Sequence, residues 1–160
     1  MGEGAAVPRA WPDLAGRIDG REHVLAVRVY YEDTDFSGIV YHANYLKYCE
    51  RGRSDFLRLI GVHHAALHEA REARARLGFA VTAMDTRFHK PARIDEVLEV
   101  RTRFVELKGA RFCLRQGVWR AGAALFTADL TAALVDGTGK PRRLPADMRE
   151  KILPFAAGAD

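Results

Sequence analysis

The chain has 160 residues, 48% of them apolar, enough for a single domain with a real core. Its net charge of +4 comes from 20 Arg and 5 Lys against 21 acids, and the cations are scattered from Arg9 to Arg149, which argues against the concentrated basic stripe of a nucleic-acid binder. No 18-residue apolar run occurs, so no membrane insertion is expected, and Cys49 and Cys113 form neither a CxxC pair nor a disulfide framework, as suits a reducing, cytoplasmic setting.

Residues 1–22 mix Gly, Pro and charge without periodicity or an apolar leader, and read as a flexible N-terminal arm ahead of one domain over residues 23–155. "HVLAVRVYYE" then alternates and is rich in β-branched and aromatic residues, which predicts a strand. After it comes "EDTDFSGIVYH", residues 32–42, with three carboxylates in four positions. From Asn44 to Ile60 the apolar residues fall at helical spacing, with Gly61 as the expected C-terminal cap. Gly52, in the middle of that helix, costs about 1 kcal/mol against Ala and so points to a close backbone approach. The Ala-rich stretch from His63 to Arg76 predicts a second, shorter helix.

The second half changes period. "LGFAVTAMDTRFHK", "DEVLEVRTRFVELK", "ARFCLRQGVWRAG" and "AALFTADLTAALVD" each read as a long strand, and their short joins predict an antiparallel meander. Pro141 and Pro145 end the sheet, and "ADMREKIL" predicts a short terminal helix. Early helices and late strands make an α+β domain.

Several chemistries are excluded by residue type. The two serines, Ser37 and Ser54, lie outside any G-x-S-x-G, and neither G-x-G-x-x-G nor a P-loop occurs. The acid cluster lacks the later ligands of an EF-hand loop. His64 and His68 have an i, i+4 spacing but no HExxH and no third ligand, so no metal is expected. Cys49 falls on the apolar helix face, where a thiol behaves as a small hydrophobe, and Cys113 reads the same way in mid-strand. Glu32, Asp33 and Asp35 lead into the N-terminus of the long helix. There an Asp commonly serves as a cap. A carboxylate facing helix N–H groups that can hold a carbonyl oxygen is also the arrangement of acyl transfer.

The stretch "VRVYYEDTDFSGIVYHANYLKYCERGR" resembles the signature of hotdog-fold acyl-CoA thioesterases, in the branch that includes 4-hydroxybenzoyl-CoA thioesterase, and is most similar to the Tol-Pal-associated acyl-CoA thioesterase family. The resemblance runs from about Val27 to Pro145 and takes in "HKPARIDEVLEV" and "KPRRLP". It implies a hotdog fold, a long central helix wrapped by an antiparallel sheet, and hydrolysis of acyl-CoA to free acid and CoA without a cofactor. It assigns Asp35 as nucleophile or general base, with Tyr31 and His42 lining the site and the backbone N–H groups of Tyr41 and His42 polarising the carbonyl. Glu32 and Asp33 then serve the turn, and Glu50 is expected to pair with Arg51 or Arg53. Phe36 and Ser37 stand where many relatives have small residues, which leaves the shape of the acyl pocket open. Arg87, Lys90, Arg93, Arg142 and Arg143 are the expected CoA phosphate ligands. The resemblance also implies a homodimer or homotetramer with sites at subunit interfaces, and acyl carrier protein as a possible alternative carrier. The competing reading is a non-enzymatic acyl-thioester binding or scaffold protein of envelope lipid metabolism.

Overall fold

The computed structural model describes residues 14–156. Strands β1 (Arg17–Asp19), β2 (Glu22–Arg28), β3 (Leu77–Phe88), β4 (Val97–Lys108), β5 (Arg111–Arg120) and β6 (Ala123–Asp136) form one antiparallel sheet in the order β1-β2-β4-β5-β6-β3. The helix α1 (His42–Leu59) packs on the sheet against β2, β4 and β5. Two short helices, α2 (His64–His68) and α3 (Ala146–Ile152), follow α1 and the sheet respectively. The helix-then-strands order read from the sequence is thus a hotdog architecture.

Period and caps explain α1. Its buried residues Tyr45, Tyr48, Cys49, Gly52 and Phe56 share one stripe, and Gly61, at φ +85°, closes the C-terminus with its N–H on the Arg58 carbonyl at 3.1 Å. Gly52 has the expected cause. A Cβ there would lie 2.9 Å from Val100 Cγ1 and 3.1 Å from Thr102 Oγ1, so the glycine lets the helix sink onto β4. Cys49 is buried beside it, and desolvation pushes its thiol up to about 12. On either side of Gly52 the core divides. Tyr45, Leu98, Val118 and Phe126 fill the part under the start of α1, and Phe56, Phe104, Phe112 and Leu134 the part under its end.

Four expectations are corrected. The strand predicted through Glu32 stops at Arg28, and Tyr31–Asp33 is a single 3-10 turn. The second helix is five residues long, because the Arg76 side chain bonds the carbonyls of Ala70 and Arg71 and folds that stretch into a loop. The meander holds for β4, β5 and β6 only. β2 occupies the other side of β4, with Leu25 opposite Val100, so β3 pairs with β6 at the sheet edge. Finally, part of the expected arm is structured: β1 pairs with β2, and the Gly16 N–H donates to Asp55 Oδ2 at 2.7 Å. The rest of the arm, residues 1–13, lies outside the described residues. Among the described residues no helix is long and apolar enough to cross a membrane.

Candidate active site

The carboxylates between β2 and α1 have separate duties. Asp33 is buried; its Oδ2 accepts the Tyr30 N–H at 2.7 Å, and its carbonyl accepts the Tyr41 N–H and the Asn44 side-chain amide, each at 2.9 Å. These bonds fix the loop to the first turn of α1. Burial and the neighbouring Asp33 carboxylate push the Tyr48 phenol up. Asp35 opens the next turn, its Oδ1 accepting the Ser37 N–H at 2.7 Å while Gly38, at φ +75°, donates to its carbonyl at 3.0 Å. Its side chain stays partly exposed and faces a recess.

That recess has a volume of about 430 Å³. Asp35 comes from the turn, His42 and Tyr45 from the first turn of α1, Phe88 from the end of β3, and His89 and Lys90 from just beyond it. Tyr45 is locked by three contacts: its hydroxyl accepts the Ala92 N–H at 3.0 Å, its ring stacks on Phe126 with centroids 5.3 Å apart, and the Phe88 ring meets it edge-on at 5.9 Å. Desolvation pushes its phenol up, keeping it a neutral wall. α1 has no side-chain cap. The His42 and Ala43 N–H groups, at its first two positions, have no carbonyl four residues back within the helix, and among the described residues they find no other acceptor. A carboxylate, the first residue of a helix with a free N–H and a lysine therefore meet at one opening, which suits an acyl or phosphoryl substrate.

The sequence matches the thioesterase-like superfamily over residues 29–152. The chain belongs to this superfamily. It is 39% identical over 121 residues to the acyl-CoA thioester hydrolase YbgC of Escherichia coli O6:H1, which covers 74% of this chain and 87% of the relative. Against the acyl-CoA thioesterase YbgC of Haemophilus influenzae the identity is 37% over 124 residues, 77% of this chain and 88% of the relative. The fold is similar to the crystal structure of a probable thioesterase from Bartonella henselae, with TM-score 0.73 and 46% identity over 78% of this chain and 99% of that one.

Against this thioesterase framework, the residues expected at the site divide. Asp35 and His42 come together in the recess, and Lys90 joins them. Tyr31 does not: it sits 84% exposed on the 3-10 turn and is not among the recess residues. Tyr41 places its ring 4.4 Å from that of His42, but its N–H is taken by Asp33, so the free donors are those of His42 and Ala43. Arg87 lies on the same strand end, 3.8 Å from the Asp85 carboxylate, and Arg93 joins Ile39 through its backbone, beside the recess. Arg142 is committed elsewhere. Asp136 accepts the Thr138 hydroxyl and N–H, the Lys140 N–H and the Arg142 guanidinium, bonds that hold its carboxyl well below the usual range. Asp136 pairs with Leu77, so Arg142 and its exposed neighbour Arg143 stand at the opposite end of β3 from Lys90. Tyr45, Phe88 and His89 were not read as site residues. The signal for Tyr45 was its i+3 spacing from His42 on one helix face.

A second cavity, of about 520 Å³, opens under the far half of α1. Its walls are Phe56, Phe104 and Phe112, with Phe79 and Val81 where it reaches β3. Glu50, expected to pair with an arginine, instead accepts the Ser54 hydroxyl at 2.6 Å, while Arg53 donates to Gln116 Oε1 at 2.8 Å. Both line this cavity.

Proposed function

We propose that the chain hydrolyses acyl-CoA thioesters to free acid and CoA, with Asp35 as the reacting carboxylate. The observation that carries the reading is that Asp35 lines one recess with His42, whose N–H is free at the start of α1. In this reading the thioester carbonyl oxygen accepts from the His42 and Ala43 amides, which stabilise the negative charge that develops on it. Asp35 either attacks the carbonyl carbon to give an acyl-aspartyl anhydride that water then hydrolyses, or takes the proton from a water that attacks the carbonyl directly. CoA thiolate leaves toward solvent, with Lys90, Arg87 and Arg93 near enough in the fold to meet its phosphates. The YbgC relatives, named as acyl-CoA thioesterases, support the substrate class.

The same reading makes the protein a homodimer or a homotetramer built from dimers. β3 is twelve residues long and pairs on one side only, and Val81 and Phe88 are 47% and 53% exposed. Antiparallel pairing of two β3 strands about their midpoint sets the Phe79 end of one copy alongside the Phe88 end of the other. The aromatic cavity of one subunit then continues the Asp35 recess of its partner and serves as its acyl chamber. Sedimentation at micromolar concentration is expected to give a dimer or larger; a stable monomer overturns this arrangement. Both cysteines are free, in keeping with a cytoplasmic setting, and the Tol-Pal association rests on the family resemblance alone.

Asp35→Asn tests the central claim, because it keeps the shape and removes the charge. Thiol release from a panel of acyl-CoA esters is expected to fall by roughly a hundredfold or more. Asp33→Asn, two residues away, is expected to keep most of the turnover of whatever protein remains folded. Equal turnover in wild type and Asp35→Asn would return the non-enzymatic acyl-thioester binding reading to first place.

A further inference from the structure

The walls of the cavity under α1 suit a hydrocarbon, but its lining also includes a charge. Arg53 enters from the helix among Phe56, Phe79 and Phe104. Of the five guanidinium N–H donors, the bond described is the one from Nη1 to Gln116 Oε1. Gln116 is held in place by its amide nitrogen, which donates to the Cys49 carbonyl and the Thr102 hydroxyl, both at 2.8 Å, so that its Oε1 faces Arg53. Among the described residues Arg53 forms no ion pair, and the nearby Glu50 has an oxygen occupied by Ser54. The side chain is half-buried, and desolvation lowers its pKa from the ordinary arginine value. A cation held in that way loses hydration with only the Glu50 carboxylate, to which it is not bonded, to offset it, and filling the chamber with a plain alkyl tail removes still more of its water. A ligand that brings its own acceptor reverses the balance, and the planar fork fits a carboxylate with two parallel bonds.

We infer that Arg53 determines acyl specificity, and that the chamber takes acyl groups ending in a carboxylate, the monothioesters of dicarboxylic acids. The methylenes lie against the aromatic walls, and the terminal carboxylate meets the free edge of the guanidinium. This inference rests on the reading of the cavity as the acyl chamber.

Suberoyl-CoA and octanoyl-CoA have the same chain length and differ in the terminal carboxylate. The wild-type kcat/KM is expected to favour suberoyl-CoA by about tenfold or more. Arg53→Met should erase that ratio, and Arg53→Lys, which keeps the charge without the fork, should leave an intermediate one. Calorimetric binding of both esters to Asp35→Asn provides a readout independent of turnover. A wild-type ratio at or below one overturns the inference, as does an equal loss on both esters in Arg53→Met. Should Arg53→Met fail to fold, the wild-type ester pair still decides. Thiol release without a preference sinks the Arg53 inference alone. A binding preference without thiol release from any ester sinks hydrolysis and leaves Arg53 as the selector.

Discussion

The two ends of α1 solve opposite problems. At its start, the recess is open, framed by a turn, and its functional groups are held by backbone bonds such as that from Ser37 to Asp35. Under its far half, the cavity is enclosed by rings from α1, β4 and β5 that also form the core. Chemistry placed on a loop can change with little effect on the fold, while selectivity placed in the core is tied to stability. Substitutions at the two ends should therefore separate turnover from folding.

The largest expected effect on stability is at the core end. The Phe56 ring is fully buried and lies 5.3 Å from His23 and Phe155 and 5.2 Å from Phe104. Phe56→Ala should cost about 3–5 kcal/mol in urea unfolding, and a loss below about 1 kcal/mol would show that this end is not core.

A smaller effect depends on pH. His23 is buried, with Nε2 2.7 Å from Asp55 Oδ2, and Arg58 pairs with the other oxygen of Asp55. Desolvation lowers the His23 pKa from its ordinary 6.5, opposed in part by Asp55. The unfolded chain then binds a proton that the folded chain refuses. The contribution is complete above pH 6.5 and is lost as the pH falls from there toward the folded-state value, at up to about 1.4 kcal/mol per pH unit. Unfolding curves at neutral and mildly acidic pH should show this slope, and His23→Gln should flatten it. A slope unchanged in the variant would assign the acid sensitivity to other groups.

The smallest effect belongs to the recess. Asp35→Asn should change stability by less than about 1 kcal/mol, since Ser37 can bond the amide oxygen instead, even as turnover collapses. Loss of both together would erase the contrast between the two ends.

The sequence made α1, Gly52, Gly61 and the β4-β5-β6 hairpins legible, because each follows from a period or a backbone conformation. The place of β3 was not legible: alternation tells which face a strand buries, not which neighbour it joins, and that was decided by β2 taking the free side of β4. At the site, position ahead of a helix marked Glu32, Asp33 and Asp35 together, and the choice of Asp35 with His42 came from the family resemblance. The exposure of Tyr31, the use of the Tyr41 N–H by Asp33 and the capture of Arg142 by Asp136 depend on where side chains and amides find partners across loops. Arg53 was expected only as a partner of Glu50, and its bond to Gln116 and its place in the cavity lining depend on how the helix packs on β4 and β5.

The two edges of the sheet are unequal. β3 offers twelve residues, whereas β1 at the opposite edge has three, all exposed. A sheet with two long bare edges can add copies at both ends and grow without limit, as fibrils do. In the β3-paired dimer proposed above, each outer edge would be β1 with the end of β2 that it leaves uncovered, a shorter template than β3. That inequality would favour a closed pair over an open-ended stack, and lengthening β1 by even a few paired residues would reduce it.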